Sequence, residues 1–147
     1  MIEQQAGAVW RGGLKEGSGS FRAGTIDGQY SFASRFEGGE GSTPEELIGS
    51  ALAACFSMAL SLFLGERGHT ADTISTTATV HLDPAQLAIT RIGLVTEAEV
   101  PGLAETEFQE IADLARQNCP VSKALRSIPI VLESATLMGM TAGHGHR

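Results

Sequence analysis

Two cysteines, Cys55 and Cys119, are the residues of this chain best suited to chemistry. A thiolate can serve as nucleophile, metal ligand or oxidisable group, and its pKa and access decide which. The pair stands 64 residues apart, too few and too distant for a zinc ribbon or a CxxC redox motif. Cys55 lies within Ala53-Ala54-Cys55-Phe56-Ser57-Met58, an apolar setting that raises a thiol pKa unless a cation reaches it. Cys119 follows one helical pattern and precedes Pro120, so it can cap a short helix beyond, where the N-terminal partial charge favours a thiolate. Physical chemistry alone therefore nominates Cys119 as the nucleophile. Two buried, inert thiols remain the alternative.

Charged and imidazole side chains add further candidates. From residue types alone, Arg35 and Glu45 read as a surface ion pair, or Glu45 as a helix-dipole residue. His69 reads as a turn residue and His81 as a polar strand position, since no cysteine lies beside either. His144-Gly145-His146 could hold a metal weakly, but a mobile tail is the better reading of that segment.

These residues need elements to hold them. Short runs at Ala8–Trp10, Ser20–Arg22 and Gln29–Phe32 predict strands joined by tight turns, followed by a flexible loop at Gly38-Gly39-Glu40-Gly41. That loop lacks the Gly-Lys-Ser/Thr of a phosphate cradle. Thr43-Pro44-Glu45-Glu46 is a strong helix start, with Thr43 as N-cap, Pro44 at the first helical position and Glu46 at the capping-box position. The helix should run through Leu47 to Leu64 without a charge and end at Gly65. Its length would suffice for a membrane span. Its Ala, Ser and Gly content, its acidic flanks and the lack of an aromatic belt favour the buried centre of a globular protein, partly covered by a second subunit.

Beyond Gly68-His69, residues Asp72 to Leu82 alternate, with Ile74, Thr76, Ala78, Val80 and Leu82 on one face. A second extended run covers Ile89 to Val100. Glu105 to Asn118 predicts an amphipathic helix with Phe108, Ile111, Ala112 and Ala115 inward. Pro120 breaks it, a short helix Val121 to Arg126 follows, and Ile128 to Leu137 is a final strand. The order predicts an α+β fold in one domain over residues 1–147, with 138–147 a mobile tail.

Composition narrows the function. The 147 residues are 42% hydrophobic and 18% charged, enough for a real core without disulfide or metal staples. A net charge of −7 with singly scattered basic residues argues against nucleic acid and against an anionic membrane surface. No secretory signal is legible in Met1 to Arg11, so a reducing cytoplasm is the expected setting.

Several motifs carry a family resemblance. Arg35-Phe36-Glu37-Gly38, Gly41-Ser42-Thr43-Pro44-Glu45-Glu46-Leu47-Ile48-Gly49, Ala53-Ala54-Cys55-Phe56-Ser57-Met58-Ala59-Leu60 and Asn118-Cys119-Pro120-Val121-Ser122 occur in the family's order. Together they closely resemble the OsmC branch of the OsmC/Ohr family of osmotically inducible and organic-hydroperoxide-resistance proteins, over Trp10 to Leu132. One departure is Ser42-Thr43-Pro44-Glu45, where the family usually has Thr-Asn-Pro-Glu; both versions supply a helix cap.

The resemblance implies an intertwined α+β homodimer with N-terminal antiparallel strands, a long buried central helix, further strands and a second helix pair. It implies a stress-protective thiol peroxidase that reduces organic hydroperoxides, and hydrogen peroxide more weakly. Cys55 would be the peroxidatic cysteine, passing through a sulfenic acid, and Cys119 the resolving one that forms the disulfide. Arg35 would supply the cation that Cys55 lacks, and Glu45, rather than Glu46, would orient its guanidinium through a bidentate pair. No metal, flavin or haem is implied; the reductant would be an external dihydrolipoyl dithiol, in one form a lipoylated protein. Phe56, Met58 and Leu60 offer apolar walls that suit organic substrates. Glu45 and Cys55 lie ten residues apart, roughly 15 Å along one helix and about 80° apart in facing. Either the helix breaks near Gly49, or Arg35 and Glu45 serve the Cys55 of a partner subunit. A non-catalytic redox sensor and a ligand-binding dimer with inert thiols are the rival classes.

Overall fold

The Thr43-Pro44 helix start organises the chain. In the computed structural model, which describes residues 1–139, Pro44–Glu66 is one uninterrupted α-helix (α2). Glu46 N–H donates to Thr43 Oγ1 at 2.9 Å and Thr43 N–H donates to Glu46 Oε1 at 3.0 Å, closing the expected capping box. The described residues form two compact units that part between Leu47 and Ile48.

The first unit holds three short antiparallel strands, β1 (Ala6–Arg11), β2 (Ser18–Ala23) and β3 (Ile26–Tyr30), in the order β1-β2-β3. Gly19 stands in register between Trp10 and Tyr30, whose rings lie 5.6 Å apart over it; a Cβ there would sit 2.5 Å from the Tyr30 ring. The expected strand Gln29–Phe32 stops at Tyr30. Phe32 instead opens a five-residue helix, α1 (Phe32–Phe36), because Ser31 and Ser34 cap each other reciprocally.

In the second unit β4 (Thr73–Asp83) pairs antiparallel with β5 (Ala88–Glu99), and β5 pairs parallel with β6 (Ile130–Leu137). Along β4 the residues alternate as expected, Ile74, Thr76, Ala78 and Val80 half-buried between exposed neighbours. The parallel β5–β6 pair needs a crossover, and α3 (Glu105–Asn118) and α4 (Pro120–Ala124) supply it, α3 packing against β6. Phe108, Ile111, Ala112 and Ala115 of α3 are all buried, as their spacing requires. They join Leu52, Phe56, Leu60 and Leu64 of α2 and Ile92, Leu94 and Ala98 of β5 in one core. A Cβ added at Gly49 would lie 3.3 Å from Val80 Cγ2, so α2 passes close over β4 there. Below it Ser57, Thr76 and Thr96 form a hydroxyl chain of 2.7 and 3.0 Å that satisfies the fully buried Thr96.

Some boundaries differ from expectation. α2 runs past Gly65, and its cap is Gly68 at φ 83°, with His69 N–H bonded to Leu64 O at 2.9 Å and Gly68 N–H to Gly65 O at 3.0 Å. Only a residue free to take positive φ can close this motif, and Gly65, inside the helix, does not have to. The turn itself falls on Arg67 and Gly68, and His69, expected as a turn residue, stands just beyond it. α4 ends at Ala124 and β6 begins at Ile130, each two residues inside its expected limit. Met138 N–H bonds to Ala98 O at 2.9 Å, just past the end of β6. His144, His146 and the rest of the expected mobile tail beyond residue 139 lie outside the described residues.

Candidate active site

The first functional pair belongs to the first unit. Ser34 Oγ donates to Ser42 O at 2.8 Å and Ser42 N–H donates to Gln29 O at 2.8 Å, folding the glycine loop back on α1 and β3. Gly41 makes this possible: its φ is 113°, and a Cβ would come 3.0 Å from Gln29 O. The loop delivers Glu45, in the first turn of α2, to Arg35, in the last turn of α1. Arg35 Nε lies 3.1 and 3.2 Å from the two carboxylate oxygens, and Nη2 donates to Oε2 at 2.6 Å. The Glu45 side chain is 10% exposed and that of Arg35 38%, so this is not two solvated side chains meeting in water. The guanidinium also stacks over Phe36, 5.4 Å from its centroid. Glu46 is the capping residue and Glu45 the arginine partner, the division of labour expected of the two.

The second pair belongs to the second unit. Cys55, half-buried in the middle of α2, is packed against the core that contains the fully buried Cys119. Both are free thiols. Cys119 is the N-cap of α4, and its sulfur accepts the Ser122 N–H at 3.3 Å. Pro120, at the first helical position, has no N–H to offer. The next N–H, that of Val121, goes to Cys55. The opening turn of α4 thus spends its two available amides on two different sulfurs.

Electrostatics follow from this packing. Burial is the largest influence on Cys55 and pushes its thiol above the ordinary range. The Val121 amide pulls it down, while the hydrogen bond to Cys119 and that residue's charge push it up again. Cys119 in turn donates its S–H to Ser122 Oγ at 3.3 Å. Val121 and Ser122 went unassigned in the sequence reading, although the Cys-Pro-x-Ser spacing carries the signal of an N-cap with its N3 partner. Of the three proposed apolar walls, Phe56 and Leu60 are fully buried core residues; Met58 is 78% exposed. His81 sits at the β4 bulge, and neither it nor His69 has a resolved tie to either pair. Among the described residues no group of three or more His, Cys, Asp or Glu is arranged to hold a metal.

Known proteins resemble this chain over most of its length. Residues 37–133 match the family model described as OsmC-like protein. A protein of Escherichia coli strain K12 named Peroxiredoxin OsmC is 49% identical over 131 residues, which is 86% of this chain and 92% of that protein. The chain belongs to the OsmC family. Among solved structures, an OsmC-like protein from Mycoplasma pneumoniae shares the OsmC fold with a TM-score of 0.74 at 19% identity, covering 93% of this chain and 99% of that one. The organic hydroperoxide resistance protein OhrB of Bacillus subtilis aligns with a TM-score of 0.61 at 27% identity, over 91% of this chain and 98% of that one. The OsmC match runs across the boundary between the two compact units.

Proposed function

We propose that Cys55 attacks organic hydroperoxides and Cys119 resolves the product, in an OsmC-family chain that is a thiol-dependent peroxidase. The observation that carries this reading is the nearness of the two free thiols: Cys119 lies close enough to Cys55 to raise its pKa, so a second thiol stands beside the first in the reduced state. In the first step the Cys55 thiolate displaces an alkoxide from the O–O bond and becomes a sulfenic acid; the alkoxide takes a proton and leaves as alcohol. In the second, the Cys119 thiol condenses with the sulfenic acid, forming the disulfide and releasing water. An external dithiol, of dihydrolipoyl type, then restores both thiols and is itself oxidised to a disulfide. Sulfur and peroxide balance the cycle, so no bound cofactor has a step to perform.

Arg35 stabilises the thiolate and the charge on the departing oxygen, and Glu45 aims it. We place this pair on the Cys55 of a second copy. The support is α2: it is unbroken at Gly49, so ten residues of straight helix, roughly 15 Å, separate Glu45 from Cys55 in one chain. The same helix buries one stripe, Leu52, Phe56, Leu60 and Leu64, and leaves Met58 and Leu62 78% and 58% exposed. An apolar face on a helix that is also anchored in a core suits a homodimer better than a membrane. A soluble cytoplasmic dimer, with the two units as parts of one domain over residues 1–147, is the resulting picture.

One equivalent of cumene hydroperoxide followed by mass spectrometry tests the sulfurs. Wild type should end as a Cys55–Cys119 disulfide. Cys55→Ser should consume no peroxide, and Cys119→Ser should react once and then over-oxidise to the sulfinic acid. A sulfenic acid on Cys119 with Cys55 still reduced reverses the assignment, and stable thiols under excess peroxide remove it.

A further inference from the structure

A concavity of about 380 Å³ lies behind the resolving cysteine, bounded by the end of α3, by α4 and by the start of β6. Arg116, Lys123 and Arg126 line it, with Ser122 and the apolar Ile128 and Ile130, and no carboxylate does. Three of the chain's 10 basic residues thus surround one hollow in a protein of net charge −7.

Two of the three cations are free to receive an anion, and the third is already committed. Arg116 is fixed, its Nε bonded to Asp113 at 2.9 Å and its Nη1 to the Ile130 carbonyl at 3.3 Å. Arg126 Nε donates to the Lys123 carbonyl at 3.2 Å, which holds the guanidinium against α4. Among the described residues neither Lys123 nor Arg126 forms an ion pair, whereas Arg35, Arg67, Arg91 and Arg116 all do. Ser122 is only 5% exposed, and its Oγ accepts the Cys119 S–H. Its own hydroxyl proton has no acceptor among the described residues. Two unpaired cations and a buried hydroxyl donor therefore meet in one hollow, and Ser122 is common to that hollow and to the Cys119 sulfur.

We propose that this hollow is an anion-binding site that seats the carboxylate of a free dithiol reductant of the dihydrolipoate kind beside the helix carrying Cys119. The proposal rests on the peroxidase cycle above. There the reductant's thiolate attacks the Cys55–Cys119 disulfide, one protein sulfur leaves as thiolate, and the reductant's second thiol closes its own disulfide and frees the other. A thiol held by its charge at Lys123 and Arg126 makes that first attack from a bound state rather than by chance encounter.

Two dithiols that differ only in charge test it on the full chain: dihydrolipoate, an anion, and dihydrolipoamide, which is neutral. With peroxide saturating and salt low, wild type should favour the anion in kcat/KM by about three- to tenfold, as two exposed ion pairs would give. Salt should erode the preference. Lys123 and Arg126 are exposed, so K123Q/R126Q should keep its fold; its ratio should fall to near one, K123E/R126E should invert it, and each single variant should lie between. A wild-type ratio of one, or a ratio that K123Q/R126Q leaves unchanged, overturns the anion site and leaves the peroxidase cycle standing. No turnover with either dithiol overturns the cycle, and the site with it.

Discussion

Arg35–Glu45 and Cys55–Cys119 are both pairs anchored at the start of a helix, yet they are built differently. Glu45 stands in the first turn of α2 and meets a cation in a half-exposed setting, where geometry comes from a planar fork and two oxygens. Cys119 caps α4 in a fully buried setting, where geometry comes from core packing and two backbone amides. The ionic pair is joined by three N–O contacts of 2.6 to 3.2 Å. Burial holds the Cys55 thiol toward its protonated form, so it needs a charge from elsewhere to react. On the reading proposed above, each pair supplies what the other lacks: the ionic pair a cation, the sulfur pair the two thiols.

The largest test of that division is to separate the pairs. Arg35→Met should slow peroxide consumption about 10²–10³-fold, and Arg35→Lys should recover only part, because lysine lacks the fork. Refolding Arg35→Met together with Cys55→Ser in equal amounts should make about half the dimers mixed and restore about a quarter of wild-type turnover. Exchanged, folded dimers that stay inactive would place each Arg35 with its own chain's Cys55.

A second perturbation reaches only the packed pair. Phe56→Ala, next to Cys55 and fully buried, should cost about 3–5 kcal/mol in urea unfolding. A loss below about 1 kcal/mol would mean that the α2 stripe is not the core it is drawn as. A smaller effect belongs to the other end of the helix. Thr43→Ala removes the capping oxygen and should cost about 1 kcal/mol, with Arg35–Glu45 loosened and the thiols untouched in their reaction with a chromogenic disulfide.

Smallest is the pH effect. A thiol raised by burial binds its proton more tightly folded than unfolded, so the stability it contributes is complete below the unfolded thiol pKa and is lost as pH rises through the folded one. Denaturation midpoints should therefore fall on the alkaline side of the ordinary thiol range, and Cys55→Ser should blunt the fall. Thiolate absorbance sharpens the comparison: if Arg35 of a second copy reaches Cys55, Arg35→Met should titrate higher than wild type. Identical titrations would remove arginine from the mechanism.

Much of the molecule was legible because its signals are local. The capping box at Thr43 and Glu46, the inward stripe of α3 and the alternation of β4 each depend on residues within a turn or two. The same holds for Cys119 as a helix cap, and motif order carried the family. Other features hang on a choice between competing local signals, or on partners distant in sequence. Helix α1 rests on two serines in what reads as the end of a strand, and the true α2 terminus rests on which glycine takes positive φ. Phe56 and Leu60 look like Met58 in composition, but only the position of β5 and α3 decides that two of them are core. Above all, the residue types at 55 and 119 say that two thiols exist, 64 positions apart. That Cys119 lies near enough to raise the Cys55 pKa, beside the amides of one helical turn, is a property of the packed chain, since only tertiary contact brings such distant sulfurs within reach.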